Sequence, residues 1–145
     1  MIARDAIVAE ARSWIGTRYR HQGRAKHIGV DCIGLIGMTA LACGVQGAAA
    51  WRNDQNMHNY GRTPDPQYLR AACMRFLTEI AIEAARPGDV LVIAFPRQPQ
   101  HFALIRSLEP MMVLHAYLQR RKVCEQSLPI AGSRVLSAHS FQGVD

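Results

Sequence analysis

The sequence lacks the closely spaced cysteine and histidine pairs from which zinc sites are built. It contains no CxxC motif, and its four cysteines stand far apart, at Cys32, Cys43, Cys73 and Cys124. Because no export signal precedes them, we expect these thiols to stay reduced rather than to form a disulfide framework. The sequence therefore predicts neither a metal centre nor any other cofactor.

Long apolar runs are also missing. No segment approaches the length needed to cross a bilayer. Arg4, Asp5, Glu10 and Arg12 interrupt the stretch where the apolar part of a secretory signal would lie. We expect no membrane insertion, and a role outside the cytoplasm would need a carrier other than a secretory signal. No repeat, low-complexity tract or linker divides the chain, so we expect a single domain over residues 1–145.

Charge of one sign is not concentrated anywhere in the sequence. The chain has 17 Lys and Arg against 11 Asp and Glu and a net charge of +6. Only residues 120–122 form a basic run, and no aromatic ladder accompanies it. We interpret this run as a solvated turn between strands and expect no nucleic-acid partner. A basic protein would still be attracted to a polyanionic surface such as a bacterial envelope.

Apolar residues have helical spacing in the first half of the chain and alternate in the second. The spacing predicts helices over residues 5–15 and 32–43, and a third helix that starts at Asp65 and is stopped by residues 86–88. Its predicted buried stripe is Leu69, Cys73, Phe76, Leu77 and Ile80. The predicted strands cover residues 89–95, 101–106, 111–117, 122–126 and 134–141. Helices followed by an antiparallel meander indicate an α+β domain.

Two segments are predicted as loops, residues 16–30 and residues 45–64. The second contains turn residues at Asn53, Asn56, Asn59, Gly61 and Pro64. A loop of that length inside a compact domain is usually functional or mobile.

The second predicted helix has features of a nucleophile site. Asp31 is a good helix N-cap, which makes Cys32 the first helical residue. Unpaired backbone N–H groups and the positive end of the helix dipole would favour a thiolate there. Gly34 suits a first turn that a ligand or another chain segment approaches closely. The alternative is a buried structural cysteine on an apolar helix.

Two histidines lie on adjacent predicted strands, His101 on the second strand and His115 on the third. A cysteine at a helix N-terminus, a histidine on a strand and a polar group on the next strand meet the requirements of thiol-protease chemistry. The first histidine moves a proton, and the polar group fixes its tautomer. Each histidine alone could also be structural. The remaining histidines are expected to be surface or loop residues, namely His21, His27, His58 and His139.

Taken in order, these segments resemble the NlpC/P60 cysteine peptidases. The resemblance runs from about residue 6 to residue 126 and rests on residues 11–19 (ARSWIGTRY), 31–35 (DCIGL), 87–90 (PGDV) and 114–116 (LHA), together with His101. It implies a papain-like fold in which the cysteine helix packs against an antiparallel sheet. It also implies hydrolysis of peptidoglycan stem peptides, typically between D-glutamate and the diamino acid.

The resemblance also implies roles for five residues. Cys32 matches the nucleophile, His101 the base and His115 the orienting residue. Tyr19 and Asp31 match positions that hold the free N-terminus of the stem peptide, and a carboxylate is a natural partner for an ammonium group. The backbone N–H of Cys32 would form part of an oxyanion hole, with the Tyr19 hydroxyl as a second candidate donor.

Within the family the sequence is most similar to the phage-type branch, which belongs to tails of phages and gene transfer agents. That branch implies assembly in the cytoplasm, a place at the tail tip with tail-tip or baseplate hub proteins as partners, and action on the wall of a recipient cell. Ile33 stands where the family usually has serine. Two alternatives stay open: a structural tail-tip or plug protein with little activity, and an intracellular thiol amidase or acyltransferase.

Overall fold

Helices come first in the chain and strands second, as the sequence predicts. The computed structural model describes residues 1–54, 60–61 and 65–145, without the side chains of Pro66, Cys73 and Pro99. The helices are α1 (Arg4–Arg12), α2 (Cys32–Ala42), α3 (Ala48–Asn53) and α4 (Pro66–Cys73), with short 3₁₀ turns at Ile82–Ala84 and Leu118–Arg120. The strands are β1 (Arg24–Ala25), β2 (Gly29–Val30), β3 (Leu77–Ile80), β4 (Val90–Phe95), β5 (Gln98–Leu108), β6 (Met111–Tyr117), β7 (Lys122–Ser127) and β8 (Arg134–Phe141).

Four of the sequence predictions fall on residues that are not described. The turn residues Asn56, Asn59 and Pro64 and the loop residue His58 lie outside the described ranges. The burial predicted for Cys73 concerns a side chain that is likewise outside them.

Six strands form one antiparallel sheet in the order β3-β8-β4-β5-β6-β7. Strands β4 to β7 are the predicted meander, while β8 returns to pair with β4 on one side and β3 on the other. The antiparallel meander is therefore confirmed for four strands, and the position of β8 adds a crossover to it.

The third predicted helix is shorter than expected. Helix α4 ends at Cys73, and Leu77–Ile80 instead form strand β3, with Leu77 paired to Phe141 and Ile80 to Ala138. Leu77 and Ile80 fit a helical stripe as well as they fit a strand, so spacing alone could not separate the two structures. The hydrogen bonds offered by the edge of β8 decided between them.

The predicted loops contain short elements of their own. Residues 16–30 include the two-stranded antiparallel sheet β1–β2, in which Arg24 pairs with Val30. The segment expected to be least regular includes α3, whose Trp51 side chain is completely buried.

Helix α2 is capped as predicted. The Asp31 side chain accepts a hydrogen bond from the backbone N–H of Gly34 at 2.9 Å. A Cβ atom on Gly34 would lie only 2.5 Å from the carbonyl oxygen of Gly23. The expected close approach is therefore real, and the approaching segment is the turn that leads into β1.

The main core lies between the helices and the sheet. Ile33, Ile36 and Ala40 of α2 pack in one cluster with Phe102 and Leu104 of β5. A second apolar cluster contains Phe95, Ala103, Ile105, Val113 and Tyr117, from strands β4, β5 and β6. Alternation along β5 separates the two clusters, because neighbouring side chains of a strand point to opposite faces of the sheet.

Three cysteine side chains are described, and all are free thiols: Cys32, Cys43 and Cys124. Within the described ranges, no group of three or more His, Cys, Asp or Glu side chains is placed to hold a metal ion. None of the helices in this part of the chain is both long and apolar enough to cross a membrane.

Candidate active site

Cys32 is the first residue of α2 and is 7% exposed. Its thiol lies beside β5, where the backbone N–H of Phe102 and that of Ile33 stabilise the thiolate form. Phe102 directly follows His101 in the chain. The fold therefore brings the N-terminus of the cysteine helix to the strand that carries His101. That strand begins at Gln98, so His101 does not open it as predicted.

The expectation of an acidic thiol at the helix terminus is wrong. Burial, followed by the nearby Asp31 carboxylate, raises the pKa of Cys32 to about 12. The N–H groups of Phe102 and Ile33 and the charge of Arg24 lower the pKa but do not offset these two effects. In this state Cys32 is a neutral thiol at physiological pH, because desolvation destabilises the thiolate more than the helix terminus stabilises it.

His101 and His115 are hydrogen-bonded to each other. The distance from His101 Nε2 to His115 Nδ1 is 2.8 Å, and both side chains are fully buried. The sheet register explains the contact: Leu104 pairs with Leu114, which places the two histidines on one face at diagonal positions.

The chain of hydrogen bonds continues to a residue that the sequence analysis did not predict. His115 Nε2 lies 2.6 Å from Gln126 Oε1 on β7. His115 pairs with Cys124, so Gln126, two residues further along β7, shares its face. Nothing in the sequence pattern marks Gln126, because its role depends on the register between β6 and β7.

This chain of hydrogen bonds from His101 through His115 to Gln126, called the relay below, fixes the tautomers of both imidazoles. An amide oxygen can only accept, so His115 Nε2 carries the proton and His115 Nδ1 holds a lone pair. His101 Nε2 must then donate to His115 Nδ1, which leaves His101 Nδ1 unprotonated. His101 Nδ1 is buried and has no hydrogen-bond partner. The relay thus ends in a free lone pair, which is the arrangement required of a general base.

Both imidazoles are neutral in this environment. Burial and then the neighbouring His115 lower the pKa of His101 well below its ordinary value. Burial also lowers the pKa of His115 to about 4, although the bond to Gln126 acts in the opposite direction. Tyr117 stacks on His115 with a centroid distance of 4.6 Å, and Phe95 contacts His101 edge-on at 5.4 Å.

The thiol and the histidines are not joined by a hydrogen bond. The aromatic partners of the imidazoles belong to the second apolar cluster, whereas Cys32 belongs to the main core. The resting site therefore consists of a neutral thiol on the face of β5 that meets α2 and a neutral imidazole on the opposite face, and the two groups are not in hydrogen-bond contact.

Asp31 is surrounded by four donors. Oδ1 accepts from the backbone N–H of Gly34 and from Arg24 Nη1, each at 2.9 Å. Oδ2 accepts from the backbone N–H of Gln22 at 2.9 Å and from the Tyr60 hydroxyl. A carboxylate offers about four lone-pair positions, so no acceptor position remains for a substrate ammonium group in this structure. The predicted substrate-binding role of Asp31 stays a prediction.

Arg24 and Tyr60 complete this cluster, and the sequence analysis identified neither. Arg24 Nη2 donates to the Tyr60 hydroxyl at 2.7 Å, and its guanidinium lies over the Trp51 ring at 5.2 Å from the centroid. Burial and Asp31 raise the pKa of the Tyr60 hydroxyl. The sequence between Tyr19 and Asp31 contains Arg20, Arg24 and Lys26, and nothing in that pattern singles out Arg24.

A cavity of about 20 Å³ lies over the thiol. Tyr19, Asp31 and Cys32 line it together with His21, Ile33, Tyr60, Leu69, Gln98 and Gln100. This volume holds about one water molecule. A peptide can therefore reach Cys32 only if a side chain of the cavity moves.

Two of the remaining histidines do not behave as surface residues. His21 does lie in a loop, but it lines this cavity and its Nε2 bonds the Tyr60 carbonyl oxygen at 3.0 Å. His139 lies in β8, is 5% exposed and bonds Ser137 Oγ, so the prediction of a surface or loop position is wrong for it. His139 lines a larger cavity of about 280 Å³, which shares Gln100 with the small one.

No protein-family model matches the sequence, and no curated protein matches it. Solved structures do match. The NlpC/p60 domain of the peptidoglycan hydrolase SagA aligns with 94% of this chain and 97% of that chain, with a TM-score of 0.61 and 24% identity. The fold is that of an NlpC/P60 domain.

Two other NlpC/P60 structures agree with this assignment. NlpC2 from Trichomonas vaginalis has a TM-score of 0.63 at 14% identity, over 95% of this chain and 46% of that one. A Staphylococcus aureus protein of the NLP/P60 family, described as similar to a lipoprotein, has a TM-score of 0.63 at 18% identity, over 96% and 41%. The present chain spans less than half of these two proteins. The predicted α+β NlpC/P60 fold is confirmed.

Proposed function

We propose that this protein is a cysteine peptidase that hydrolyses peptidoglycan stem peptides at the bond between D-glutamate and the diamino acid. The observation that carries the proposal is the relay from Gln126 through His115 to His101, which ends in a free Nδ1 lone pair beside the strand that the Cys32 thiol contacts. The NlpC/P60 fold and the order of the sequence motifs support the same chemistry.

The first half of the reaction forms a thioester. Cys32 Sγ attacks the carbonyl carbon of the scissile amide while its proton passes to His101 Nδ1. The carbonyl electrons move to oxygen, and the backbone N–H of Cys32, which has no acceptor within its own helix, donates to that oxyanion. The oxyanion collapses, the C–N bond breaks, and the leaving amine takes the proton from His101.

The second half of the reaction uses water. His101 Nδ1 takes a proton from a water molecule that attacks the thioester carbonyl. The C–S bond breaks, the sulfur recovers the proton, and the acid product leaves. Throughout, His101 Nε2–H stays bonded to His115, so the relay holds the imidazole in one tautomer.

Substrate binding has two tasks in this scheme. It must open the small cavity over Cys32, and it must bring Sγ and His101 Nδ1 into contact. Catalytic hydrogen bonds are often absent in a ligand-free enzyme and form only with substrate bound. The high pKa of the thiol and the low pKa of His101 keep both groups neutral until then.

We further propose that the peptidase is carried on the tail tip of a phage-like particle, that it is made in the cytoplasm, and that it acts on the wall of the recipient cell. This part of the proposal is supported by the sequence resemblance to the phage-type branch. It names tail-tip or baseplate hub proteins as partners.

The test of the activity uses purified sacculi. The intact protein should release soluble fragments whose new N-termini, identified by mass spectrometry, belong to the diamino acid. The Cys32→Ser variant should release none, and the Cys43→Ser variant should match the intact protein. New N-termini at another residue would change the bond assignment, and equal release by Cys32→Ser would overturn the proposed activity.

A second candidate is a structural protein that keeps the NlpC/P60 fold with little activity. The small volume of the cavity over Cys32 and the missing bond between Cys32 and His101 favour it. The sacculus experiment separates the two candidates, because a structural protein releases no fragments under any condition that preserves its fold.

A further inference from the structure

We propose that Arg24 determines which stem peptides the site accepts. By pairing with the Asp31 carboxylate, Arg24 prevents a substrate ammonium group from binding there and selects peptides whose first amino group is acylated. This inference rests on the peptidase function proposed above and deepens it. It concerns the hydrogen-bonded cluster that Asp31, Arg24 and Tyr60 form next to Cys32.

The first argument is the saturation of Asp31. Asp31 is 2% exposed, lies directly before the nucleophile, and carries four donors on its two oxygens. A substrate ammonium group needs acceptors to replace its water shell, and a buried charge without them is strongly disfavoured. Asp31 could serve only after one of its present donors had been displaced.

The second argument is charge. The Arg24 side chain is 12% exposed and forms an ion pair with Asp31 at 2.9 Å. The pair is neutral as a whole, so it does not attract a cation as a lone carboxylate would. An ammonium group that approached Asp31 would also meet the guanidinium at close range. Like charges in a poorly hydrated site repel each other more strongly than they would in bulk water.

The third argument is the balance of donors. A guanidinium has five N–H groups and no acceptor. Three of the Arg24 N–H groups are used, by Gly23 O, Asp31 Oδ1 and the Tyr60 hydroxyl oxygen. Arg24 Nε is buried and has no hydrogen-bond partner. The cluster therefore has unused hydrogen-bond donors and no unused carboxylate acceptor. A ligand that presents a carbonyl oxygen suits this balance.

An acylated first residue fits all three arguments. Its amide nitrogen is neutral, so no charge has to be buried, and its acyl carbonyl adds an acceptor. Stem peptides still attached to their sugar have such an acyl group, whereas stem peptides released from it have a free amine. We therefore expect the substrate of this protein to be intact cell wall rather than released stem peptides.

The experiment compares two synthetic probes, L-Ala-γ-D-Glu-meso-diaminopimelate with and without an N-acetyl group. Binding is measured by titration calorimetry in a Cys32→Ala background, and hydrolysis is measured with the thiol intact. We expect the acetylated peptide to bind about 10- to 100-fold more tightly, the range of one hydrogen bond to a charged group. Arg24→Met should reduce or reverse this ratio, and Arg24→Lys should preserve its sign. Arg20→Met, an exposed site with the same loss of charge, should leave the ratio unchanged.

Arg24→Met leaves a buried carboxylate without its cation, so its fold is checked by thermal unfolding. If it does not fold, the Arg24→Met/Asp31→Asn double variant replaces it, because asparagine can still cap α2, and it should lose the discrimination. If the protein that carries Arg24 binds the free-amine peptide as tightly as the acetylated peptide, or more tightly, the inference is overturned. Binding of neither probe would also overturn it. Discrimination without hydrolysis would refute only the peptidase function, and hydrolysis without discrimination would refute only the role of Arg24.

Discussion

Two buried aspartates form ion pairs with arginine, and they serve different parts of the molecule. Asp89, 1% exposed, accepts from Arg4 Nη1 at 2.7 Å, from Ser140 Oγ at 2.7 Å and from the backbone N–H of Arg86 at 2.8 Å. Asp31, 2% exposed, accepts from four donors beside Cys32. The bonds are of the same kind, but the segments that they join are not.

The Arg4–Asp89 pair joins distant parts of the chain. Its two residues are 85 positions apart, and Arg4 also bonds the carbonyl oxygens of Pro87 and Asp145. The Arg24–Asp31 pair spans only seven positions and ties a short hairpin to the first turn of α2. Two ion pairs of the same chemistry thus lie in different places: Arg4–Asp89 connects distant segments of the scaffold, and Arg24–Asp31 lies directly before the thiol of Cys32.

The largest effect is expected for the nucleophile. Cys32→Ser should lower hydrolysis of sacculi by on the order of 10³-fold or more, because a hydroxyl is a far weaker nucleophile at neutral pH. Cys43 lies at the other end of α2 and bonds the carbonyl oxygen of Ala6 at 3.7 Å. Cys43→Ser should keep full activity, as measured by release of soluble fragments. Similar losses in both variants would show that the thiol chemistry does not belong to Cys32.

The relay histidine should give the next largest effect. His115→Ala removes the acceptor of His101 Nε2–H, and we expect kcat to fall by about 10²- to 10³-fold, less than the loss of ~10⁴ known for a charged orienting group. KM should change much less. His115→Asn should recover part of the loss, because its amide oxygen can accept the same proton. Equal impairment of both variants, in kcat and in stability, would make His115 a packing residue.

The scaffold pair should affect stability instead of catalysis. Arg4→Met leaves Asp89 buried without its cation and should lower the free energy of unfolding by about 3–5 kcal/mol. Urea unfolding measures this loss. The kcat/KM per folded molecule should not change, because the chemistry described above uses neither residue. A parallel fall in kcat/KM would contradict the prediction that the Arg4–Asp89 pair affects stability alone.

Much of the fold was predictable because local rules and tertiary structure agree. Asp31 caps α2 as predicted, and β8 has the predicted bounds, residues 134–141. The exception is Leu77–Ile80, whose apolar spacing allows both helix and strand. Only the edge of β8, more than 50 residues later, decides that it is a strand, and no local pattern can carry that information.

The candidate site was predictable only in part, for the same reason. Cys32, His101 and His115 could be selected because each lies in a recognisable local setting. Gln126 and Arg24 could not. Gln126 depends on the register between β6 and β7, and Arg24 depends on a hairpin with two residues in each strand. The pKa of Cys32 was predicted in the wrong direction, because the helix terminus is visible in the sequence and the burial is not.

The smallest effect that we predict concerns acid stability, and it arises at His115. The folded-state pKa of His115 is lowered to about 4, below the value of about 6.5 in an unfolded chain. Between these values the unfolded chain binds a proton that the folded protein excludes. The contribution of His115 to the free energy of unfolding should therefore be constant above pH 6.5 and should fall as the pH drops towards 4, by about 3 kcal/mol.

His101 adds to this loss with the same sign, because its pKa is also lowered. In urea unfolding measured at several pH values, His115→Asn should flatten the slope between pH 4 and 6.5, since asparagine does not titrate. His27→Asn is the matched control: His27 is exposed and has a positive φ of 64°, which asparagine tolerates. It should leave the slope unchanged. If His115→Asn has the same slope as the unaltered protein, His115 is not the buried neutral group that the relay requires, and the proposed tautomer of His101 loses its basis.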